Sequence, residues 1–243
     1  MNLLVDAFAW IFSPARLTGA VPLPTAIVQQ LAFTFGSVLI AAVIAIPIGW
    51  SIGHTGRGRE TAVFISGAAR ALPALGVVAL LLELIPVSYK TFAAVVAFVL
   101  LAIPSILAGA YAGFEAIDRT VIDAGRAMGM SSWQIVWTIE VPLGLPLLIG
   151  GLRIATLQVV ATVTIAAYVG LGGLGYYIIQ GIALRDFPEI LGASIVVIAL
   201  ALVLDAVFAL LQRVAVPRGV SARHETRHRS SGVRSRSVAG APA

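Results

Sequence analysis

Five long apolar stretches constrain the fold of this chain more than any other feature of its sequence. Each has about the 20 residues that an α-helix needs to cross the hydrocarbon core of a bilayer, and none holds more than one charged residue. They cover residues 31–50, 61–82, 91–114, 143–170 and 190–211. The sequence therefore predicts an all-α, polytopic membrane helix bundle with about five transmembrane helices.

The composition excludes a soluble protein in which these stretches are buried helices. Hydrophobic residues make up 59% of the chain and charged residues only 11%, whereas a typical soluble domain carries about 25% charged residues. Such a chain has too little polar surface to dissolve its apolar helices. Cysteine is absent, which also excludes disulfides, thiol chemistry and cysteine-based metal sites.

The basic residues of the short loops predict the orientation, since Lys and Arg concentrate on the cytoplasmic side. With five spans, one side holds the loop of Arg57 and Arg59, the insertion 115–142 and the tail. The arginines of the tail are Arg213, Arg218, Arg223, Arg227, Arg229, Arg234 and Arg236. The basic residues of the opposite side are only Arg16, Lys90 and Arg185. We therefore expect the N-terminus outside the cell and the C-terminus in the cytoplasm.

The chain divides into three parts by composition. Residues 1–25 are expected to form an N-terminal extracytoplasmic segment, in which 1–16 are either an interfacial helix or disordered. Residues 26–213 form the transmembrane domain, and residues 214–243 form an Arg- and Ser-rich cytoplasmic tail. The tail has too few large apolar residues for a core, so we predict that it is disordered. We expect it to fix the topology or to attract anionic lipid headgroups weakly, and not to bind nucleic acid.

The longest polar interruption between the spans predicts two short helices joined by a tight turn. Residues 121–128 carry apolar side chains at helical spacing. Gly129 follows at the position where helices commonly end. Ser131 or Ser132 then caps a second helix over residues 133–140.

Two prolines follow the second short helix. Pro142 and Pro146 are expected to break that helix and to aim the chain back into the membrane. A helix–turn–helix that is held at both ends moves as a rigid unit, which suits docking onto a cytoplasmic partner. The alternative is an ordinary amphipathic helix at the membrane interface.

The insertion resembles the cytoplasmic signature of permease subunits from binding-protein-dependent ABC importers. In that signature, E-A-A is followed after three residues by G, and after nine more residues by I, one residue and L-P. The matching positions of this chain are Asp123, Ala124, Gly125, Gly129, Ile139 and Pro142. Every spacing agrees, and the identities differ at Asp123 for Glu, Gly125 for the second Ala and Val141 for Leu.

The resemblance implies a type I ABC importer permease, which is a transporter subunit and not an enzyme. The insertion would form the coupling helices that dock into a groove of the ATP-binding subunit. Two permease chains, identical or paralogous, would enclose the pore. Two cytoplasmic ATP-binding subunits would bind ATP and Mg²⁺, and an extracytoplasmic binding protein would deliver the solute. This chain has no G-x-x-x-x-G-K-[ST] motif, so no cofactor is expected in it.

A longer resemblance, over residues 25–213, narrows the expected solute. The run AAYVGLGGLG and the ending GAS…LDAVFALLQR are similar to permeases for quaternary-ammonium osmoprotectants, namely glycine betaine, choline and carnitine. Permeases for methionine and for taurine or other sulfonates share much of the pattern and remain alternatives. A secondary transporter acting alone is a different class, but the halves of this chain show no internal repeat. A membrane-embedded enzyme would need convergent acid–base or metal-binding residues, and the sequence shows none.

A glycine-rich run follows the fourth predicted span. Its glycines are Gly170, Gly172, Gly173 and Gly175, and they fit the pattern G-x-G-x-x-G. A dinucleotide loop of this pattern follows a β-strand, whereas this run follows a membrane span on the expected outer side. We predict a flexible or re-entrant turn near the outer gate.

Three charged residues lie inside the predicted spans, namely Arg70, Arg153 and Asp205. Such side chains are costly in lipid and normally face the interior of a bundle or a water-filled path. They lie at similar distances from the cytoplasmic ends of their helices, so we hypothesise that Asp205 pairs with Arg153 or Arg70. Helix pairing and a role in the path or gate both remain open. The histidines have no ligand partners at useful spacing, so no metal site is expected; they are His54, His224 and His228.

Overall fold

The computed structural model describes residues 2–19 and 21–216, and the regular elements within these ranges are helices. The α-helices are α1 (Leu3–Ile11), α2 (Ala15–Thr18), α3 (Leu23–Thr55), α4 (Arg59–Ala71), α5 (Ala74–Leu84), α6 (Lys90–Glu115), α7 (Arg119–Ala127), α8 (Ser132–Ile135), α9 (Val141–Ala166), α10 (Gly175–Leu184) and α11 (Phe187–Ala215). Two 3-10 turns, Val87–Tyr89 and Ala167–Val169, and a π-helical segment, Val136–Glu140, complete the set. The all-α prediction is confirmed. The tail that the sequence predicts to be disordered lies, from residue 217 onward, outside the described residues.

Four continuous helical stretches are long and apolar enough to cross a membrane. They are Leu23–Thr55, Val87–Glu115, Ser132–Val169 and Phe187–Ala215. They confirm four of the predicted spans and start earlier than each prediction, because hydropathy marks only the apolar centre of a helix. α3 has a proline in its first turn, where proline is well tolerated. It begins at Leu23, so the domain boundary predicted after residue 25 falls inside its first turn.

The span predicted over residues 61–82 is broken. α4 ends at Ala71, α5 begins at Ala74, and the two helices are bent by 87°. Leu72 has extended backbone angles, φ −70° and ψ 131°, because a proline such as Pro73 disfavours the helical region for the residue before it. The predicted span is therefore a pair of helices and not a single straight helix. The two limbs make a fifth span only as a bent pair.

α3, α6 and α9 form the core, and glycines let their backbones approach closely. A Cβ at Gly113 of α6 would lie 2.6 Å from the backbone oxygen of Gly144 on α9, and one at Gly109 would lie 2.8 Å from the Cα of Gly151. A Cβ at Gly49 of α3 would lie 3.0 Å from a backbone oxygen of α6. Small residues at helix crossings are typical of packing within membranes, where close van der Waals contact drives association.

Contacts between helices define the two ends of the bundle. Arg59 pairs with Glu115 at 2.7 Å, which joins the start of α4 to the end of α6. At the opposite end, Lys90 Nζ donates to the backbone oxygen of Gly170 at 3.3 Å, which joins the start of α6 to the turn after α9. The inserted helices α7 and α8 therefore lie at the end of Arg59, and the glycine-rich turn lies at the other end.

The N-terminal segment is helical, where the sequence left a helix and disorder open. α1 packs on α11, with Ala7 and Trp10 buried. A Cβ at Gly192 of α11 would lie 2.6 Å from the Trp10 ring. The glycine therefore makes room for the indole, and α1 becomes part of the helix bundle.

Candidate coupling segment and intramembrane polar groups

The inserted segment folds as the predicted helix–turn–helix, and α7 has defined ends. Asp118 caps its start by accepting a backbone N–H of the first turn at 3.0 Å. Gly129 follows its end with a left-handed φ of 83°, and its N–H donates to the Arg126 oxygen at 2.9 Å. The Met130 N–H donates to the Gly125 oxygen at 3.2 Å. These two bonds form a Schellman motif, which confirms the predicted helix end at Gly129.

α8 begins with a capping box. Ser131 Oγ accepts the N–H of Gln134 at 3.3 Å, and Gln134 Oε1 accepts the N–H of Ser131 at 2.8 Å. Ser131 is therefore the cap, of the two serines that the sequence offers. The reciprocal bonds fix the angle at which the turn enters α8.

The second short helix does not end at its prolines. α8 runs through Val136–Glu140 into α9, and the Val141 N–H donates to the oxygen of Val136. This wider π turn accommodates Pro142, which lacks an N–H and would clash with the preceding turn of a regular α-helix. Pro146 lies inside α9. The predicted break is therefore wrong, and the insertion joins the membrane span as one continuous helix.

A glycine on α7 lets the two inserted helices pack together. Gly125 is buried, and a Cβ there would lie 3.0 Å from Ile139 Cδ1 and 3.4 Å from Met130 Sδ. Ile122 and Ile135 are buried in the same cluster. The glycine in the second Ala position of the signature therefore brings α7 against the π-helical segment at Ile139, and the insertion becomes one packed unit.

The outer face of this α7–α8 unit is exposed. Asp123 and Ala124 of α7 are exposed, as are Met128 at 75% and Trp133 at 70%. A Cβ built at Gly129 has no neighbour within 4 Å in the part of the chain that the structure describes. The positive φ alone therefore requires glycine there.

One contact at the base of the α7–α8 unit is not predicted by the sequence analysis. Only 3% of the Glu140 side chain is exposed, and His54 Nδ1 lies 2.7 Å from its Oε2. His54 lies in the last turn of α3, 86 residues earlier, so local spacing gives no signal for the pair. The available signal was a glutamate between Ile139 and Val141, two apolar residues where the helix enters the membrane.

Arg153 and Asp205 meet between α9 and α11. Arg153 Nε donates to Asp205 Oδ1 at 2.5 Å, and Nη2 donates to Oδ2 at 2.6 Å. This is the bidentate geometry that arginine and a carboxylate favour. The two side chains remain 33% and 30% exposed. Of the two partners that the sequence offers for Asp205, the structure brings Arg153 to it.

Arg70 lies apart from this pair, in the last turn of α4 beside the break. Its side chain is exposed, and no hydrogen bond or ion pair joins it to another described residue. The alternative pair of Arg70 with Asp205 is therefore not formed.

The glycine-rich turn follows α9 as predicted, and glycine is required at its positions for two different reasons. Gly170, Gly172 and Gly173 have φ values of 78°, 81° and 72°, which side chains with a Cβ rarely adopt. A Cβ at Gly175 would overlap a backbone oxygen of α9. A helix, not a strand, precedes the turn, so its context excludes a dinucleotide loop. A role near the outer gate stays a prediction.

Two glutamines of α3 hold this turn. Gln29 Oε1 accepts the N–H of Gly173 at 3.2 Å, and Gln30 Oε1 accepts the N–H of Leu174 at 3.3 Å. The amide nitrogen of Gln30 donates to two oxygens of α9 at 2.9 and 3.1 Å, and its side chain is fully buried. These hydrogen bonds anchor the turn to α3 and α9.

Among the described residues, no three His, Cys, Asp or Glu side chains form a group that could hold a metal ion. His54 is engaged with Glu140, and His224 and His228 lie outside the described ranges.

Apolar helices that cross a membrane and a packed helix–turn–helix inserted at one end define a multi-pass membrane protein of the transporter type. The chain belongs to the family of binding-protein-dependent transport system inner membrane components, whose model matches residues 41–219. The match runs from the middle of α3 past the end of α11 and includes the insertion. The chain is therefore a permease subunit of an ABC importer in the inner membrane, which confirms the predicted class.

Curated relatives align with most of the chain. It is 27% identical over 197 residues to the glycine betaine/carnitine/choline transport system permease protein OpuCB of Bacillus subtilis, covering 81% of this chain and 90% of that one. It is 30% identical over 198 residues to the osmoprotectant import permease protein OsmW of Salmonella typhimurium, covering 79% and 91%. It is 31% identical over 181 residues to the carnitine transport permease protein OpuCD of Listeria monocytogenes, covering 74% and 80%.

A solved structure shares the fold. The inward-facing MetNI methionine ABC transporter matches with a TM-score of 0.67 and 23% identity, covering 80% of this chain and 96% of that one. The likeness confirms the predicted fold of a type I ABC importer permease. At 23% identity, the likeness shows the fold and not the solute.

Proposed function

We propose that this chain forms the translocation path for a small quaternary-ammonium osmoprotectant such as glycine betaine, choline or carnitine. The observation that carries the proposal is the set of relatives named for these solutes. They are 27% to 31% identical to this chain and align with 74% to 81% of it. Alignments of 181 to 198 residues in a chain of 243 must include the insertion, which lies near its centre.

The α7–α8 unit couples transport to ATP hydrolysis by a separate subunit, while this chain binds neither ATP nor Mg²⁺. Three features support this role: the capped ends of the unit, the contact of Gly125 with Ile139, and the continuous helix from α8 into α9. A unit of this kind passes on a rigid-body movement. Its exposed face, with Asp123, Ala124 and Met128, is the docking surface for the ATP-binding subunit.

A second permease chain, identical or paralogous, covers the face that carries Arg153 and Asp205. Both side chains are about a third exposed near the middle of their helices, and charged groups at this depth normally face protein or water instead of lipid. α11 is largely uncovered by the rest of the described chain, as a helix at a subunit interface would be. Two ATP-binding subunits and an extracytoplasmic binding protein complete the importer.

The bent pair α4–α5 lines the path. α4 has 13 residues and α5 has 11, so at a rise of about 1.5 Å per residue neither limb crosses a core of about 30 Å alone. The break therefore lies inside the hydrocarbon layer. Irregular backbone at that depth occurs where protein or a water-filled cavity covers it. Arg70, exposed beside the break, faces this path.

The N-terminus lies outside the cell and the C-terminus in the cytoplasm. The end of the bundle with the Arg59–Glu115 pair also holds Arg57, Arg119 and Arg126, the excess of basic residues expected on the cytoplasmic side. Docking of the α7–α8 unit on an ATP-binding subunit requires the same orientation.

Uptake of labelled glycine betaine at high osmolarity tests the proposal. The assay uses cells without their own osmoprotectant uptake that express this chain with its genomic partners. We expect uptake that excess choline or carnitine reduces and that methionine and taurine leave unchanged. Uptake of labelled methionine or taurine without uptake of glycine betaine would contradict the proposed solute.

The same assay tests the coupling role with a matched pair of glycine variants. Gly129 and Gly56 have φ values of 83° and 70°, and neither has a neighbour within 4 Å of a built Cβ. Both lie at the same end of the bundle, but only Gly129 lies in the α7–α8 unit. We expect Gly129→Asp to abolish uptake with the protein still in the membrane, and Gly56→Asp to retain it. Equal uptake by the two variants would contradict the coupling role.

A further inference from the structure

A buried polar contact joins the α7–α8 unit to the end of α3. The Glu140 side chain is almost fully buried, and its Oε2 lies 2.7 Å from His54 Nδ1. A carboxylate out of water is stable only with a hydrogen-bonding partner. The pair therefore fixes the distance and the direction between the two helices, which an apolar contact of the same size would leave free.

Aromatic rings reinforce the same junction. The Trp50 ring of α3 stacks on Phe114 of α6 with centroids 5.7 Å apart and an interplanar angle of 8°. The Trp50 and Trp137 rings also form a T-shaped pair with centroids 5.8 Å apart, and Trp137 lies in the π-helical segment. The last turns of α3 are thus held to α6 on one side and to the π-helical segment on the other.

The π-helical segment is where the α7–α8 unit meets the bundle. α7 packs on α8, and α8 continues through Val136–Glu140 into α9. π-helical turns inside α-helices occur frequently at functional sites. Glu140 is the last residue of this turn, so a displacement of the unit reaches α3 through the Glu140–His54 contact and α9 through the helix itself.

We propose that His54 and Glu140 are positioning residues that carry the movement of the α7–α8 unit to α3. This inference rests on the proposed function, because it assumes that an ATP-binding subunit moves the unit. When ATP binds and the α7–α8 unit moves, α3 and α9 move with it, and the ends of both helices shift as one body. Loss of either side chain uncouples ATP hydrolysis from transport while leaving the subunits assembled.

The test measures labelled glycine betaine imported per ATP hydrolysed. It uses proteoliposomes that contain this chain with its ATP-binding subunit and solute-loaded binding protein. We expect His54→Ala and Glu140→Ala each to lower this ratio about tenfold, the size that loss of one hydrogen bond to a charged group implies. The double variant should be no lower than the single variants, because both remove the same contact. A ratio in either single variant equal to that of the wild type would overturn the inference, and so would a multiplied loss in the double variant.

A control pair and a conservative variant separate coupling from folding. Arg59 and Glu115 lie 2.7 Å apart at the same end of the bundle, but both are exposed, and exposed pairs contribute little. Arg59→Ala should therefore keep the wild-type ratio. If His54→Ala does not assemble, His54→Asn keeps an amide donor two bonds from Cβ, as Nδ1 is, and should keep the ratio within about twofold. A tenfold loss in an assembled His54→Asn complex would overturn the inference.

The wild-type complex distinguishes the two levels of the account. Wild-type import with unchanged ratios in the His54 and Glu140 variants removes the inference and leaves the proposed function intact. If an assembled wild-type complex does not import glycine betaine, the proposed function is contradicted, and so is the inference that rests on it.

Discussion

Replacing Gln30 by leucine tests whether the glycine-rich turn depends on one buried side chain. Leucine has a similar volume but removes every polar atom of the side chain. Gln30 donates to two oxygens of α9 and accepts the N–H of Leu174. The variant therefore removes the hydrogen bonds that link α3 to α9 and to the glycine-rich turn, without opening a large cavity.

The expected loss follows from which groups remain paired. Hydrogen bonds between membrane helices contribute about 0.6 kcal/mol on average and about 1.7 kcal/mol at most. The Val160 oxygen keeps a bond from Thr164 Oγ1 at 2.9 Å, so it is not left alone. The Leu174 N–H loses its side-chain acceptor, and an unpaired buried N–H costs about 1–3 kcal/mol. We therefore expect Gln30→Leu to lower the free energy of unfolding by about 2–3 kcal/mol.

The neighbouring glutamine provides the control. Gln29 is exposed and makes one hydrogen bond, to Gly173 at 3.2 Å, so Gln29→Leu should cost less than about 1 kcal/mol. Unfolding is followed by far-ultraviolet circular dichroism during titration of the detergent-purified chain with sodium dodecyl sulfate. Equal losses in the two variants, or a gain in stability for Gln30→Leu, would refute the reasoning.

Two further substitutions follow from the same structure. Gly175→Ala places a methyl group onto a backbone oxygen of α9 and should lower the free energy of unfolding by about 1–3 kcal/mol. In Gly36→Ala the methyl group enters open space, so this control should be neutral or slightly stabilising in the same titration. Asp205→Asn removes the charge that faces Arg153 and should reduce the amount of partner subunits that co-purify with the chain. Unchanged co-purification and unchanged uptake in that variant would show that the pair has no part in assembly.

The prolines show how far local sequence rules reach. Pro73 follows the end of α4, whereas the helix continues through Pro142, although both prolines lie in apolar helical sequence. The difference is the π turn before Pro142, in which the Val141 N–H reaches back to Val136. Hydropathy reports one span across Pro73, whereas the local rule for proline predicts a break at Pro142, and the structure shows the reverse at both sites. The sequence predicts where apolar helices are, but the competition between a break and a wider turn is decided by packing with other helices.

Contacts over long sequence separations were the other limit. The helix end at Gly129 and the cap at Ser131 depend on neighbours within a few residues, and the sequence predicts the first and limits the second to Ser131 or Ser132. The Glu140–His54 pair spans 86 residues, and the Gln30–Leu174 bond spans 144, so periodicity within one helix cannot reveal them. The Arg153–Asp205 pair was accessible only because charge inside a span is rare enough to suggest a partner.

A single-cysteine cross-link tests most directly the central claim that the α7–α8 unit docks on an ATP-binding subunit. The chain contains no cysteine, so Met128→Cys introduces a unique thiol at a position that is 75% exposed. We predict that a short thiol–amine cross-linker joins this thiol to the ATP-binding subunit in isolated membranes. Tyr89→Cys, 63% exposed at the opposite end of the bundle, should give no such product. A cross-link from Tyr89→Cys and none from Met128→Cys would contradict both the docking surface and the orientation.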